Sequence, residues 1–126
     1  MIADIDAQAT LAVKNLSAAR SFYESKLGLK PTGPQAQPTV VTYGSGASRL
    51  LVYESEFAGT NKATAVTWIV GNQIDAIVKD LASKGVKFEH YDMPGMTRNG
   101  DLHLAGNAKA AWCKDPDGNI LAFVSG

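Results

Sequence analysis

The chain holds two histidines, His90 and His103, and a single cysteine, Cys113. An imidazole titrates near neutrality, so either histidine is a candidate general base. His103 is the better of the two, because Arg98 and Asp101 lie just before it and the Asp101 carboxylate is placed to orient its ring. The plainer alternative, an exposed loop histidine, stays open for each. Asp92 adds a further carboxylate to the same stretch. Glu54 and Glu56 are acid–base candidates at the end of a strand-like run, where carboxylates otherwise serve as solvated charges. Arg49 and Arg98 suit an anionic ligand, since a guanidinium forks onto oxyanions. Cys113, in an apolar strand-like run, reads as a small buried hydrophobe, not a nucleophile. Trp112 offers a flat surface for a planar ligand, or else fills the interior as core. Gly44, Ser45 and Gly46 mimic a phosphate loop weakly. No Lys-Ser/Thr pair opens a helix after them, so they read as a hairpin turn.

These residues sit in a chain of 126, enough for one compact domain spanning 1–126 with its own core. Hydrophobic residues make up 45% and charged ones 19%, the balance of an ordinary globular protein. Twelve basic residues offset twelve acidic ones. A neutral total sets up no field for nucleic acid or an anionic membrane, so neither partner is expected. A lone cysteine makes no internal disulfide, which fits a reducing compartment. No apolar run approaches the roughly 20 residues of a membrane helix. The opening residues Met1 to Asp6 are acidic where a signal peptide begins basic, so the expected location is cytoplasmic.

The elements that must position the candidates come in two similar halves. Val13-Lys14-Asn15 leads into a helical stretch ending at Gly28, and Val70-Gly71-Asn72 into one ending at Gly85. Both intervals are 15 residues. An apolar strand precedes each: Thr10 to Val13, then Ala65 to Val70. Leu16, Ala19, Phe22, Tyr23 and Leu27 recur at helical spacing, as do Ile74, Ile77, Val78, Leu81 and Ala82. Asn15 or Ser17 caps the first helix and Asn72 the second, while Gly28 and Gly85 suit left-handed stops. Strand-like runs close each half: 39–43 and 49–53, then 87–91, 109–114 and 120–124. The order strand, helix, three strands predicts an α+β fold of two tandem βαβββ modules, at about 5–56 and 63–126.

The residues Leu11 to Leu16, Ser21-Phe22-Tyr23, Leu27-Gly28-Leu29 and Lys114-Asp115-Pro116-Asp117-Gly118-Asn119 together resemble the vicinal oxygen chelate superfamily. Its members are glyoxalase/bleomycin resistance protein/dioxygenase-like. The resemblance covers nearly the whole chain. It implies a curled mixed sheet forming a cup, helices on the outer face, and a homodimer that shares or flanks the pocket.

Catalytic members hold a divalent ion with His, Gln or Glu side chains pointing into the cup. Carried over by position, the first ligand is Gln8, the third Ala65 and the fourth Ala122; the second falls near Val52, with a register uncertain by about one residue. Only Gln8 has a donor. Glu54 rescues one position if the register slips by two, which still leaves too few donors. The expectation is no metal and no other cofactor.

Gln8 and Ala65 are 57 residues apart, Val52 and Ala122 are 70 apart, so the second half carries 13 more before its last strand. The excess falls within 90–103, which makes that loop the expected lid or pocket wall. Strand alternation from the carried-over positions puts Gln8, Thr10 and Ala12, then Ala65, Thr67 and Ile69, then Ile120, Ala122 and Val124 on the cup face. Trp112 and Thr10 match cup positions that hold a tyrosine and a threonine in fosfomycin-resistance relatives. Trp68 should face the helix. The expected ligand-binding set is Gln8, Thr10, Val52, Thr67, Met93, Arg98, His103 and Trp112. The favoured function is a metal-free binder of a small, partly apolar molecule. The alternatives are a metal-independent isomerase or lyase using His103 or Glu54 as acid/base, and a dimeric accessory protein with a vestigial pocket.

Overall fold

The structure, a computed structural model, describes residues 1–33 and 38–125. After a 3-10 turn at Ile2–Asp4, strand β1 (Ala9–Val13) leads into helix α1 (Leu16–Arg20). Two acceptors start this helix. The Asn15 side chain accepts from the Ala18 amide at 2.9 Å, and the Glu54 carboxylate from the Leu16 amide at 2.9 Å. The helix then widens into a π-helical turn, Ser21–Lys26, with the Leu27 amide donating to the Phe22 carbonyl. Strands β2 (Lys30–Pro31), β3 (Val40–Ser45) and β4 (Ser48–Glu54) complete the first half.

The second half repeats the order with additions. Strand β5 (Thr64–Ile69) leads through a 3-10 turn, Gly71–Gln73, into α2 (Ile74–Ser83). The cap expected at Asn72 is not made, because the 3-10 turn consumes it and Gln73 precedes the helix without a side-chain bond. α2 buries Ile74, Val78 and Leu81 and exposes Asp75, Lys79 and Asp80, the one-sided pattern of a helix lying on a core. The strand expected at 87–91 is reduced to one bridge, Phe88 with Cys113. Residues 90–103, expected to be a loop, instead supply β6 (Thr97–Asn99) and the start of β7 (Leu102–Ala105). Gly100-Asp101 supplies the tight turn of that hairpin, closed by the Asn99–Leu102 pair, with Gly100 at φ 62°, a left-handed position suited to glycine. Strands β8 (Ala108–Lys114) and β9 (Ile120–Val124) close the chain.

Among the described residues the strands form two mixed sheets, β1-β4-β3-β2 and β5-β9-β8-β7-β6. In each, the first strand runs parallel to the last of its half and the other pairs are antiparallel. This is the α+β glyoxalase/bleomycin resistance fold expected from the resemblance. One face of each sheet contributes to a shared core: Leu11, Val13, Val41, Leu50 and Val52 from the first, Cys113, Leu121 and Phe123 from the second. Tyr23, Phe22, Val78 and Leu81 meet them from the helices. Trp68 turns to this core side, stacks on Phe123 at 5.3 Å, and donates from its indole nitrogen to Ser45 at 2.9 Å. No helix of the described residues is long and apolar enough to cross a membrane.

The Asp115 to Asn119 turn is fastened by side chains. Asp115 accepts from the Asp117 and Asn119 amides, from the Asn119 side chain and from the Tyr23 hydroxyl, at 2.7 to 2.9 Å. Asn119 also donates to the Ala12 carbonyl at 2.8 Å, tying the turn to β1. The motif that carries the family resemblance is therefore a structural clasp between the halves.

Candidate functional site

The sheet faces turned away from the core are open. On β8 and β9, the paired positions Trp112 with Ala122 and Lys114 with Ile120 point there, because the intervening Cys113 and Leu121 are buried in the core. Trp112 is half-buried and held between two other rings. His103 meets it edge-on at 4.9 Å and 85°, and Tyr91 at 5.4 Å and 72°. Such edge-to-face pairs fix an indole in one orientation. Beside this platform lies a hollow of about 540 Å³ whose walls include Trp112, Met93, Tyr91, Ile120, Lys62 and Lys114. Burial and nearby Glu89 raise the Tyr91 phenol above its ordinary value, so it stays neutral at physiological pH.

His103 is 1% exposed, not a loop histidine. It lies on β7 opposite Ala110, and its Nε2 accepts from the Tyr91 amide at 2.9 Å. The accepting Nε2 leaves the ring proton on Nδ1, and that buried atom has no hydrogen-bond partner among the described residues. Asp101 does not orient it. The Asp101 carboxylate sits 2.8 Å from Nε2 of His90 instead, both side chains partly exposed. Arg98 lies opposite His103 across the hairpin but is exposed, its guanidinium donating to the Gly100 carbonyl at 3.2 Å. The expected convergence of Arg98, Asp101 and His103 is thus replaced by a His90–Asp101 pair outside and a buried His103 within.

Gln8 borders a different hollow, of about 710 Å³, with Asp6, Ala7, Ala47, Ser48 and Arg49. Thr10 and Thr67 are exposed on the open faces of β1 and β5. Within one chain, then, Gln8 and Arg49 border one hollow and Trp112 and Met93 another.

Val52 is misplaced in the sequence expectation by one residue. It pairs with Leu11 and is fully buried in the core, whereas Leu51 and Tyr53 share the open face with Thr10 and Ala12. Glu54 accordingly falls on the core side, where it accepts from the first amide of α1, so its carboxylate serves a helix terminus. Glu56 and Asp92 are exposed. Cys113 is fully buried, and burial, with Asp115 and Glu89 adding, pushes its thiol up to about 12. A nucleophilic thiolate at neutral pH does not fit that setting.

The donors present do not fit the divalent ion of the family's catalytic members. Gln8 offers one neutral amide oxygen, Leu51 offers nothing and Tyr53 a phenol. Ala122 has no donor and is 3% exposed, and Ala65 is the extra residue of a bulge between Thr64 and Val66. Such an ion needs several N or O donors converging at about 2 Å. Among the described residues no three His, Cys, Asp or Glu side chains cluster in that way.

Sequence reasoning missed Lys62, Tyr91 and Lys114. Lys114 was within reach of it, since it stands two residues beyond Trp112 on the same strand. Lys62 and Tyr91 arrive from irregular segments whose course no periodicity encodes.

A family profile described as the Glyoxalase/Bleomycin resistance protein/Dioxygenase superfamily matches residues 7–123. No curated protein matches the chain significantly. Among solved structures, an integron cassette protein from the mobile metagenome of the Halifax Harbour sewage outfall is similar at 20% identity and a TM-score of 0.68, over 96% of this chain and 99% of that one. The fosfomycin resistance protein FosX of Listeria monocytogenes is similar at 13% identity and a TM-score of 0.68, over 97% and 90%. Lactoylglutathione lyase of Agrobacterium tumefaciens is similar at 16% identity and a TM-score of 0.69, over 95% and 92%. At such identities the likeness speaks for the fold.

Proposed function

The chain belongs to the Glyoxalase/Bleomycin resistance protein/Dioxygenase superfamily, and from that premise we propose that it binds a small, partly apolar molecule on the open sheet face around Trp112 without a resident divalent ion. The observation that carries this reading is the pairing of a rigidly held indole with a hollow, in a chain where two of the four family ligand positions hold alanine. An indole fixed by two rings loses little freedom when a flat ligand stacks on it, which favours affinity. The two acid/base candidates weigh against an enzyme. Glu54 is engaged at a helix start, and His103 lies behind Trp112 and Tyr91.

The proposal includes a homodimer. Ile69 is 76% exposed on the open side of β5, a large apolar side chain with no cover within the chain. A partner laid over this face would cover it and bring the Gln8 hollow of one protomer towards the Trp112 hollow of the other. Sedimentation should then give twice the 13.3 kDa of the chain. The lone buried thiol suits a reducing cytoplasm, the location proposed here.

Native mass spectrometry of protein purified without a metal-affinity step tests the binding reading. A co-purifying organic adduct, or one acquired from a metabolite extract, is the expected result. A species that takes up no organic molecule under either condition would overturn it.

A further inference from the structure

We propose that the Trp112 hollow selects a planar apolar molecule bearing a negative charge, an aromatic carboxylate or sulfonate in chemical class. The inference rests on the binding reading above and specifies its ligand. The floor of the hollow is apolar and aromatic: Trp112 and Ile120 from the sheet, Tyr91 and Met93 from the segment before β6. Its charged lining is of one sign. Lys62 enters from the connection between the halves and Lys114 from β8, and among the described residues no carboxylate lines the hollow.

The lysines differ in what else they touch. The Lys114 ammonium stands 3.5 Å from Glu89, a long and partly exposed contact. Lys62 makes no ion pair with any described residue. The hollow therefore keeps an uncompensated positive charge at its rim although the whole chain is formally neutral. A neutral ligand would leave that charge unanswered. An anionic one satisfies it while its ring lies on the indole, whose fixed orientation sets where the ring must go.

The buried edge of the platform adds to the case. His103 holds its Nε2 on the Tyr91 amide and leaves Nδ1 unpaired at 1% exposure. An unsatisfied buried polar atom is costly, and such costs concentrate where a fold holds a functional surface in place. Here the unpaired ring is the one that braces Trp112 at 4.9 Å.

Two fluorescent probes of nearly the same shape test the assignment: anilinonaphthalene sulfonate, which is anionic, and phenylnaphthylamine, which is neutral. The wild-type chain should prefer the sulfonate, and added salt should weaken only that probe. Lys62→Gln and Lys114→Gln should each lower sulfonate affinity by about threefold, the scale of a partly exposed ion pair, with little effect on the neutral probe. Lys109→Gln removes the same charge from a lysine engaged with Asp75 and should change neither. Trp112→Leu should weaken both probes. Equal binding of the two probes, or an equal loss from Lys109→Gln, overturns the charge assignment and leaves the binding reading intact. No binding of either probe overturns both.

Discussion

The Tyr23 hydroxyl donates to the Asp115 carboxylate across 2.7 Å, joining residues 92 positions apart. Tyr23 belongs to the π-helical turn of the first half and Asp115 to the last turn of the second. Both are buried, and Asn119 extends the link to the β1 backbone. Burial first, then the Asp115 charge, drives the Tyr23 phenol far above its ordinary value, so it stays a donor throughout the physiological range. Tyr23→Phe removes one bond to a charged group and should cost about 1.5–3 kcal/mol in urea denaturation. Asp115→Ala removes all four of its accepted bonds and should cost more. A Tyr23→Phe variant as stable as the parent would show that the clasp contributes nothing.

Stability should fall at alkaline pH partly through Cys113. Its thiol is raised from 9.0 to about 12 by burial, so folding favours the protonated form. For a raised group the contribution is complete below the unfolded value and is lost as pH climbs through the folded one. Between 9.0 and about 12 the thiol share of stability should therefore drop, by about 1.4 kcal/mol per pH unit. Cys113→Ala lacks that share, so the gap between parent and variant should narrow through the window. A constant gap would place the thiol in contact with solvent.

Glu54 should matter to stability and not to binding. Glu54→Gln weakens the carboxylate at the start of α1 and should cost about 0.5–1 kcal/mol. Sulfonate-probe affinity should stay at the parent value. A variant with unchanged melting but lost binding would return Glu54 to the site.

The register of β4 predicts opposite results from adjacent residues. Val52→Asp buries an unpaired charge in the core and should prevent folding at ambient temperature, a cost of about 4 kcal/mol or more. Leu51→Asp, on the open face, should leave a cooperative thermal transition. The reverse outcome would restore the sequence-based register.

Metal uptake is the remaining check. Protein purified without a metal-affinity step should show no stoichiometric zinc or nickel in native mass spectra, because one amide and one phenol are a poor donor set. A one-to-one metal species that survives desalting would overturn the reading of Ala65 and Ala122.

Much of the fold was legible because it is local or periodic. Leu16, Ala19, Phe22 and Tyr23 announce their helix by spacing, Asn15 its cap, and the pairing of helix with strand in each half its architecture. The hairpin of β6 and β7 turns on Gly100-Asp101 and went unread because its flanks are short. The site was less legible. Trp112 stood out as a large flat side chain, but the parity of β4 was set from family spacing, and an error of one residue exchanges every side chain between faces.

By itself the sequence determined the family, the order of elements, the near absence of metal donors at the family positions, and the burial of Cys113. Each of these depends on residue type at a given position along one strand or helix. Which residues meet was decided only in three dimensions. Asp101 turns to His90 and not to His103, Glu54 reaches a helix start, and Lys62 arrives beside Trp112 from the connection between the halves. The physical reason is that hydrogen bonds and edge-to-face ring contacts are specified within a few ångströms. Those distances are set by how strands register and how loops return, and neither is carried by local spacing.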